Sequence, residues 1–319
     1  MDLFVVLFLF AVGIVAIVKG GDMFVDAASW IAEVSGVPKL IVGATVVSIA
    51  TTLPELIVSL MATFDGKVEI AIGNAVGSVT ANTGLIMAFA LLFIPCVIKR
   101  SDYILKTIFM LGGTIVLIAC GFIGSIGVMG SLILLAMCCL AFAENIIEAL
   151  NAMNLQKSNE VRGNKPTAKE KRINIAKFVF GALLLVVGSR LLVDNGSYLA
   201  KLLGVSERII GVTLIAIGTS LPELVTTLTA IAKKHATLSV GNIIGANIID
   251  LTFILPVCSI LSGKTIPISG TLAQIDLPAA LIVGSIAILP TLYMKKFTRV
   301  QGVVLLLTYL TYVIITITA

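Results

Sequence analysis

A polar stretch written twice constrains this chain more than any other feature. GATVVSIATTLPEL at 43–56 returns as GVTLIAIGTSLPEL at 211–224, and GNAVGSVTAN at 73–82 returns as GNIIGANIID at 241–250. The offset is a constant 168 residues without a gap, so Glu55 falls on Glu223, Pro54 on Pro222 and Asn82 on Asp250. VDAASWIAEVSGV at 25–37 answers VDNGSYLAKLLGV at 193–205 at the same offset, placing Asp26 on Asp194. The chain is two copies of one unit, and each copy carries its polar motif inside apolar sequence.

That setting is a membrane. Of 319 residues, 58% are hydrophobic and only 12% charged, with a mean hydropathy of +1.12, far outside the range of soluble domains. A hydrocarbon core of about 30 Å takes roughly twenty residues to cross as helix. Ten apolar runs reach that length: 3–33, 38–63, 69–95, 103–123, 126–149, 173–203, 208–232, 238–261, 270–293 and 300–318. The expected fold is an all-α polytopic membrane protein of ten transmembrane helices. The first run has no basic segment before it and continues into more apolar sequence, so it reads as an uncleaved span.

Charge sets the orientation. With ten spans and the N-terminus outside, sixteen Lys and Arg fall on the inner side and four on the outer, a strong positive-inside bias. Both termini are then outside the cell membrane. Five spans per copy is an odd number, so the second copy enters the membrane inverted, as in many secondary transporters with a midplane site. The organisation is a first five-helix repeat at 1–150, a polar cytosolic linker at 151–172 and an inverted second repeat at 173–319. The basic residues are scattered along one membrane face as topology demands, and nothing points to nucleic acid or to an obligate protein partner beyond the lipid bilayer. The cysteines, Cys96, Cys120, Cys138, Cys139 and Cys258, lack metal-like spacing and read as membrane packing; His235 reads as a loop residue.

The chemistry lies in spans 2, 3, 7 and 8. Thr51, Thr52 and Glu55 share one helical face in span 2, and Thr219, Ser220 and Glu223 repeat this in span 7. Pro54 and Pro222 deprive the carbonyls four residues back of their partners, so helices 2 and 7 should be broken, as tolerated at membrane depth where a cavity is lined. Asn74, Ser78 and Asn82 form a stripe on span 3, answered by Asn242, Ala246 and Asp250 on span 8. Each carboxylate of Glu55, Glu223 and Asp250 would cost at least about 2.5 kcal/mol near the bilayer centre. Apart from Lys39 and Arg208 at the ends, these four spans hold no Lys or Arg to neutralise them. Protons or bound cations must do so, and all-oxygen donors suit hard ions such as Ca²⁺ and Na⁺. Lys19, Asp22 and Asp26 in span 1 and Arg190 and Asp194 in span 6 stand at helical-neighbour spacing. They read as structural pairs, with gating by Asp26 and Asp194 as the alternative. Glu144, Glu148 and Asp276 read as interfacial carboxylates.

With these motifs, G-x-T-x-x-x-I-x-T-[ST]-L-P-E-L followed by G-N-x-x-G in both halves, the chain resembles the cation/Ca²⁺ antiporter superfamily, nearest its prokaryotic sodium/calcium exchanger branch. The resemblance implies a midplane cation cluster with Glu55 and Glu223 as shared central ligands, joined by Thr51 and Thr219 around Ca²⁺. Around Na⁺ it implies the hydroxyls of Thr52, Ser78 and Ser220 with the carbonyls of Ser48 and Ala216, Asn82 and Asp250 flanking the middle position. It also implies that spans 1 and 6 slide to alternate access. Two departures stand out: Ala246 replaces the hydroxyl residue that matches Ser78, and Ala50 stands opposite Gly218. The expected function is exchange of Na⁺ for Ca²⁺ with no cofactor. The alternatives are an H⁺/Ca²⁺ antiporter of the same fold and a passive cation channel. No nucleophile and base pair or His metal set supports an enzyme.

Overall fold

The computed structural model describes residues 3–93, 97, 100–158, 166–204, 216–263, 265–268 and 270–318. The helices are α1 (Leu3–Ser35), α2 (Lys39–Thr51), α3 (Leu53–Phe64), α4 (Val68–Phe93), α5 (Arg100–Ile123), α6 (Val128–Ser158), α7 (Ala168–Leu202), α8 (Ala216–Thr219), α9 (Leu221–Ala232), α10 (Ala236–Ser262), α11 (Leu272–Met294) and α12 (Arg299–Thr318). Among the described residues, eight are long and apolar enough to cross a membrane, nine spans if the bent pair α2–α3 counts as one. The first residues expected of span 7, at 208–215, and residues 159–165 of the expected linker lie outside the described residues, as does Cys96; the linker's ends continue α6 to Ser158 and begin α7 at Ala168.

Polar sequence decides which helices go to the centre. α4 and α10 carry the Asn, Ser and Asp stripes, and they are the most enclosed: every residue of α10 from Leu238 to Thr252 is buried. Wrapping them in protein keeps their side chains from lipid, where an unmet polar group costs several kcal/mol. α5, α6, α11 and α12 form the shell and turn large apolar side chains such as Phe122, Ile133 and Leu307 outward. Glycine sets how near α10 comes to α2. A Cβ on Gly241 would run into the backbone of Leu40 and Ala44, and one on Gly43 into that of Leu238 and Asn242.

α1 and α7 run antiparallel along each other for most of their length, from Phe10 beside Gly196 to Phe24 against Phe178, ring centroids 4.5 Å apart. Their approach points are glycines spaced seven apart on each helix. Gly13 meets Gly188, and Gly20 meets Gly181 so tightly that an added Cβ on either of the latter pair would stand 2.9 Å from the other's carbonyl oxygen. A two-residue strand pair, Ser125–Ile126 with Ile266–Pro267, ties the α5–α6 loop to the α10–α11 loop.

The peripheral charges differ in part from the sequence reading. Arg190 and Asp194 do pair, at 3.7 Å on an exposed face. Asp22 and Asp26 instead both meet Lys233, at 3.2 and 2.7 Å, across from the end of α9. Lys106, counted on the inner side at the start of the expected span 103–123, is buried between Glu144 and Glu148 at 3.0 and 2.8 Å. Asp276 accepts a hydrogen bond from the Tyr312 hydroxyl at 2.9 Å.

Candidate cation-binding site

The two proline-bearing motifs produce the same backbone break. Thr52 sits at φ −85°, ψ 2° and Ser220 at φ −86°, ψ 8°, each just before a helix whose second residue is proline. The first break bends α2 against α3 by 42°. Glu55 and Glu223 occupy the first turn of the helices that follow, where the positive end of the helix dipole favours negative charge. Asn82 and Asp250 each open a π-helical segment, Asn82–Met87 and Asp250–Ile254, in the middle of α4 and α10. Such wide turns are a frequent device at functional sites because they release main-chain groups and re-aim side chains.

Between the halves the contacts are reciprocal. The Thr51 hydroxyl donates to Asn242 Oδ1 at 3.1 Å, and the Thr219 hydroxyl donates to Asn74 Oδ1 at 3.3 Å. Ser220 lies beside Glu55 and Thr51 beside Glu223. Ser220 and Ser78 meet at 3.3 Å, while Thr52, whose counterpart of Ser78 is Ala246, turns its hydroxyl back to the Ser48 carbonyl at 2.7 Å. That carbonyl also receives the Thr52 amide at 2.9 Å and the Thr51 hydroxyl at 3.3 Å. Ala216 lies one turn before the second break.

Glu55, Glu223 and Asp250 are wholly buried, and none of their six carboxylate oxygens accepts a hydrogen bond of standard geometry. Both polar atoms of Asn82 are equally unmet. Buried polar groups are otherwise almost always paired, so an orphaned set of this size marks a place built for a charge from outside the chain. Among the described residues no three His, Cys, Asp or Glu side chains converge on a common metal position. The donors available to a cation at this level are therefore a mixture of carboxylate, hydroxyl, amide and carbonyl oxygens, the donor set of hard ions. The structure thus brings Glu55, Glu223 and Asp250 near one another with Thr51, Ser78 and Ser220 beside them and Thr219 against Asn74, buries Thr52 and Asn82 on the same elements, and leaves Asp26 and Asp194 at exposed positions on α1 and α7.

Three further buried hydroxyls, on Thr226, Thr227 and Ser239, lack hydrogen-bond partners. The repeat offers their signal: Thr227 answers Ser59, whose own hydroxyl bonds Ala71 O at 3.3 Å and accepts from Asn74 Nδ2 at 3.0 Å. Asn242 Nδ2, the counterpart of that amide, is unmet.

A family model described as "Sodium/calcium exchanger protein" matches residues 5–149 and 173–318. Sodium/calcium exchanger MaX1 of Methanosarcina acetivorans is 30% identical over 95% of this chain and 96% of its own. Inner membrane protein YrbG of Escherichia coli is 33% identical over 77% of each chain. Among solved structures, the sodium-calcium exchanger NCX_Mj, soaked with 2.5 mM Na⁺ and 10 mM Sr²⁺, superposes with a TM-score of 0.80 at 26% identity, covering 97% of this chain and 98% of that one.

Proposed function

Because the chain belongs to the sodium/calcium exchanger protein family, we propose that it is a secondary antiporter that exchanges Na⁺ for Ca²⁺ through the Glu55–Glu223 site by alternating access. The observation that carries this reading is the buried set of six unmet carboxylate oxygens, shared between two halves that interlock through Thr51–Asn242 and Thr219–Asn74. Glu55 and Glu223 are the central ligands, with Thr51 and Thr219 completing Ca²⁺ coordination. Thr52, Ser78 and Ser220 with the Ser48 and Ala216 carbonyls serve Na⁺, and Asn82 and Asp250 flank the centre.

Ten spans in two inverted five-helix repeats account for the contacts. Gly13 and Gly181 are repeat equivalents, as are Gly20 and Gly188, yet contact is made crosswise between Gly13 and Gly188 and between Gly20 and Gly181. Antiparallel equivalents exchanging partners are what a twofold axis in the membrane plane produces. Both termini then lie outside, with residues 151–172 in the cytosol.

Antiport follows from charge. Moving three uncompensated acids through a dry site is costly, so the protein changes state only when loaded. Either Ca²⁺ or Na⁺ neutralises the cluster. Ca²⁺ uptake into proteoliposomes should follow an imposed Na⁺ gradient and be indifferent to a pH gradient of equal energy. Uptake that follows the pH gradient alone would assign the coupling to protons.

A further inference from the structure

The two ends of the molecule are not alike, although the repeat makes them equivalent. At one end α1 is packed along α9: Gly21 lies against Val225 and Thr229, and Lys233, the residue capping α9, reaches Asp22 at 3.2 Å and Asp26 at 2.7 Å. The repeat equivalents of α1 and α9 are α7 and α3, and among the described residues these two make no comparable contact. Ile57 and Met61, which answer Val225 and Thr229, are 50% and 61% exposed. On the facing helix Leu192, Val193 and Gly196 are half-buried, whereas their counterparts Phe24, Val25 and Ala28 are wholly buried. We call the end that carries the α1–α9 contact shut and the end that lacks its counterpart among the described residues open.

The charges at the two ends are exchanged. Lys233 answers Asp65, which caps α3 just as Lys233 caps α9. Asp22 answers Arg190. The shut end therefore joins a lysine on the short helix to an aspartate on the long one, and the open end holds an aspartate on the short helix and an arginine on the long one. Asp65 is exposed and forms no ion pair among the described residues, and Arg190 is 83% exposed with only Asp194 beside it. Keeping opposite signs while exchanging their owners preserves the possibility of an attractive pair at each end.

We propose that Asp65 and Arg190 form a second latch, which closes when the α1–α7 pair slides and Lys233 releases Asp22 and Asp26, so that the two ion pairs alternate. The proposal rests on the exchanger reading and on its inverted symmetry, and it assigns to Asp65, Arg190 and Lys233 the balance between the two states. They are positioning residues, since none touches the ion.

Disulfide trapping tests it. In a background with the five cysteines replaced by serine, Asp22→Cys with Lys233→Cys should cross-link, and Asp65→Cys with Arg190→Cys should cross-link in a separate variant. With both pairs present, closing the first should slow the second at least tenfold. Both bonds forming in one molecule, or a failure of the Asp65–Arg190 pair to cross-link in a variant that still binds Ca²⁺, overturns the latch. Two single variants give a readout free of cysteine. Lys233→Gln should tighten apparent Ca²⁺ affinity at the Lys233 face by about two- to fivefold, as the worth of an exposed ion pair implies, and weaken it at the other. Arg190→Gln should do the opposite, and changes of the same sign in both variants overturn the proposal. If the wild type moves no Ca²⁺, the exchanger reading falls and the cross-links alone decide whether the ends alternate.

Discussion

At the scale of single residues, Glu55 and Glu223 do what no neutral side chain does, because they place formal charge where the chain supplies no counter-charge. Glu55→Gln or Glu223→Gln should therefore lower Ca²⁺ affinity by about 100-fold, the roughly 3 kcal/mol typical of removing one partner from a buried charge arrangement. Isothermal titration in detergent measures this directly, and wild-type affinity in either variant would remove that residue from the site. Ala246 predicts a gain. Ser78 gives Ser220 a hydroxyl to meet, whereas Thr52 has no such partner and turns inward. Ala246→Ser should strengthen Na⁺ competition against Ca²⁺ by about fivefold, the worth of one added polar contact. The acids, threonines and prolines were legible because the repeat wrote them twice. The Lys106–Glu144–Glu148 cluster was not: Glu144 and Glu148 stand four apart on α6, but Lys106 comes from α5 and no pattern in the sequence joins it to them.

At the scale of elements, the seam between α1 and α7 is packed at its glycines. Glycines at its contact points let the helices approach closely, and under the proposed mechanism the same seam is where they would shift along each other. A Cβ at Gly20 would meet Leu184 Cβ at 2.8 Å and the Gly181 carbonyl at 2.9 Å. Gly20→Ala should cost about 1–3 kcal/mol of stability through overpacking and slow exchange more than it weakens Ca²⁺ binding. Stopped-flow flux beside equilibrium titration separates the two effects. The seven-residue glycine spacing stands in both copies, yet it drew no notice as sequence, and only the structure pairs Gly13 with Gly188. The π-helical segments at Asn82 and Asp250 were not readable, since no residue type compels that winding.

The shut end also carries the sole histidine. His235, in the connector before α10, lies 3.1 Å from Lys39 Nζ, which in turn holds Glu33 at 3.0 Å; Asp26 and Lys233 stand nearby. Burial and the Lys39 ammonium push its pKa below the ordinary value, against the weaker pull of Glu33 and Asp26. A lowered pKa means that this arrangement favours neutral imidazole. The stability it lends the shut end is full above the ordinary histidine range and is lost as pH falls below about 6.5. Acidifying that face should shift the population toward opening there, and His235→Asn should flatten the response of Ca²⁺ flux between about pH 5 and 7. An unchanged profile would place the sensitivity elsewhere.

At the scale of the whole molecule, the crossed Thr51–Asn242 and Thr219–Asn74 bonds mean that neither half finishes its own half of the site. Each repeat is an incomplete object whose missing acceptor is stored in the other, as in an obligate heterodimer that happens to be written on one chain. On the proposed organisation, covalent continuity between the halves, from α6 to α7, would contribute proximity alone. A gene cut at that point and expressed as two pieces should restore Ca²⁺ exchange in the membrane, and either piece alone should not. Two copies of the first piece should also fail, because such a pair would carry asparagine at both flanking positions and never the aspartate.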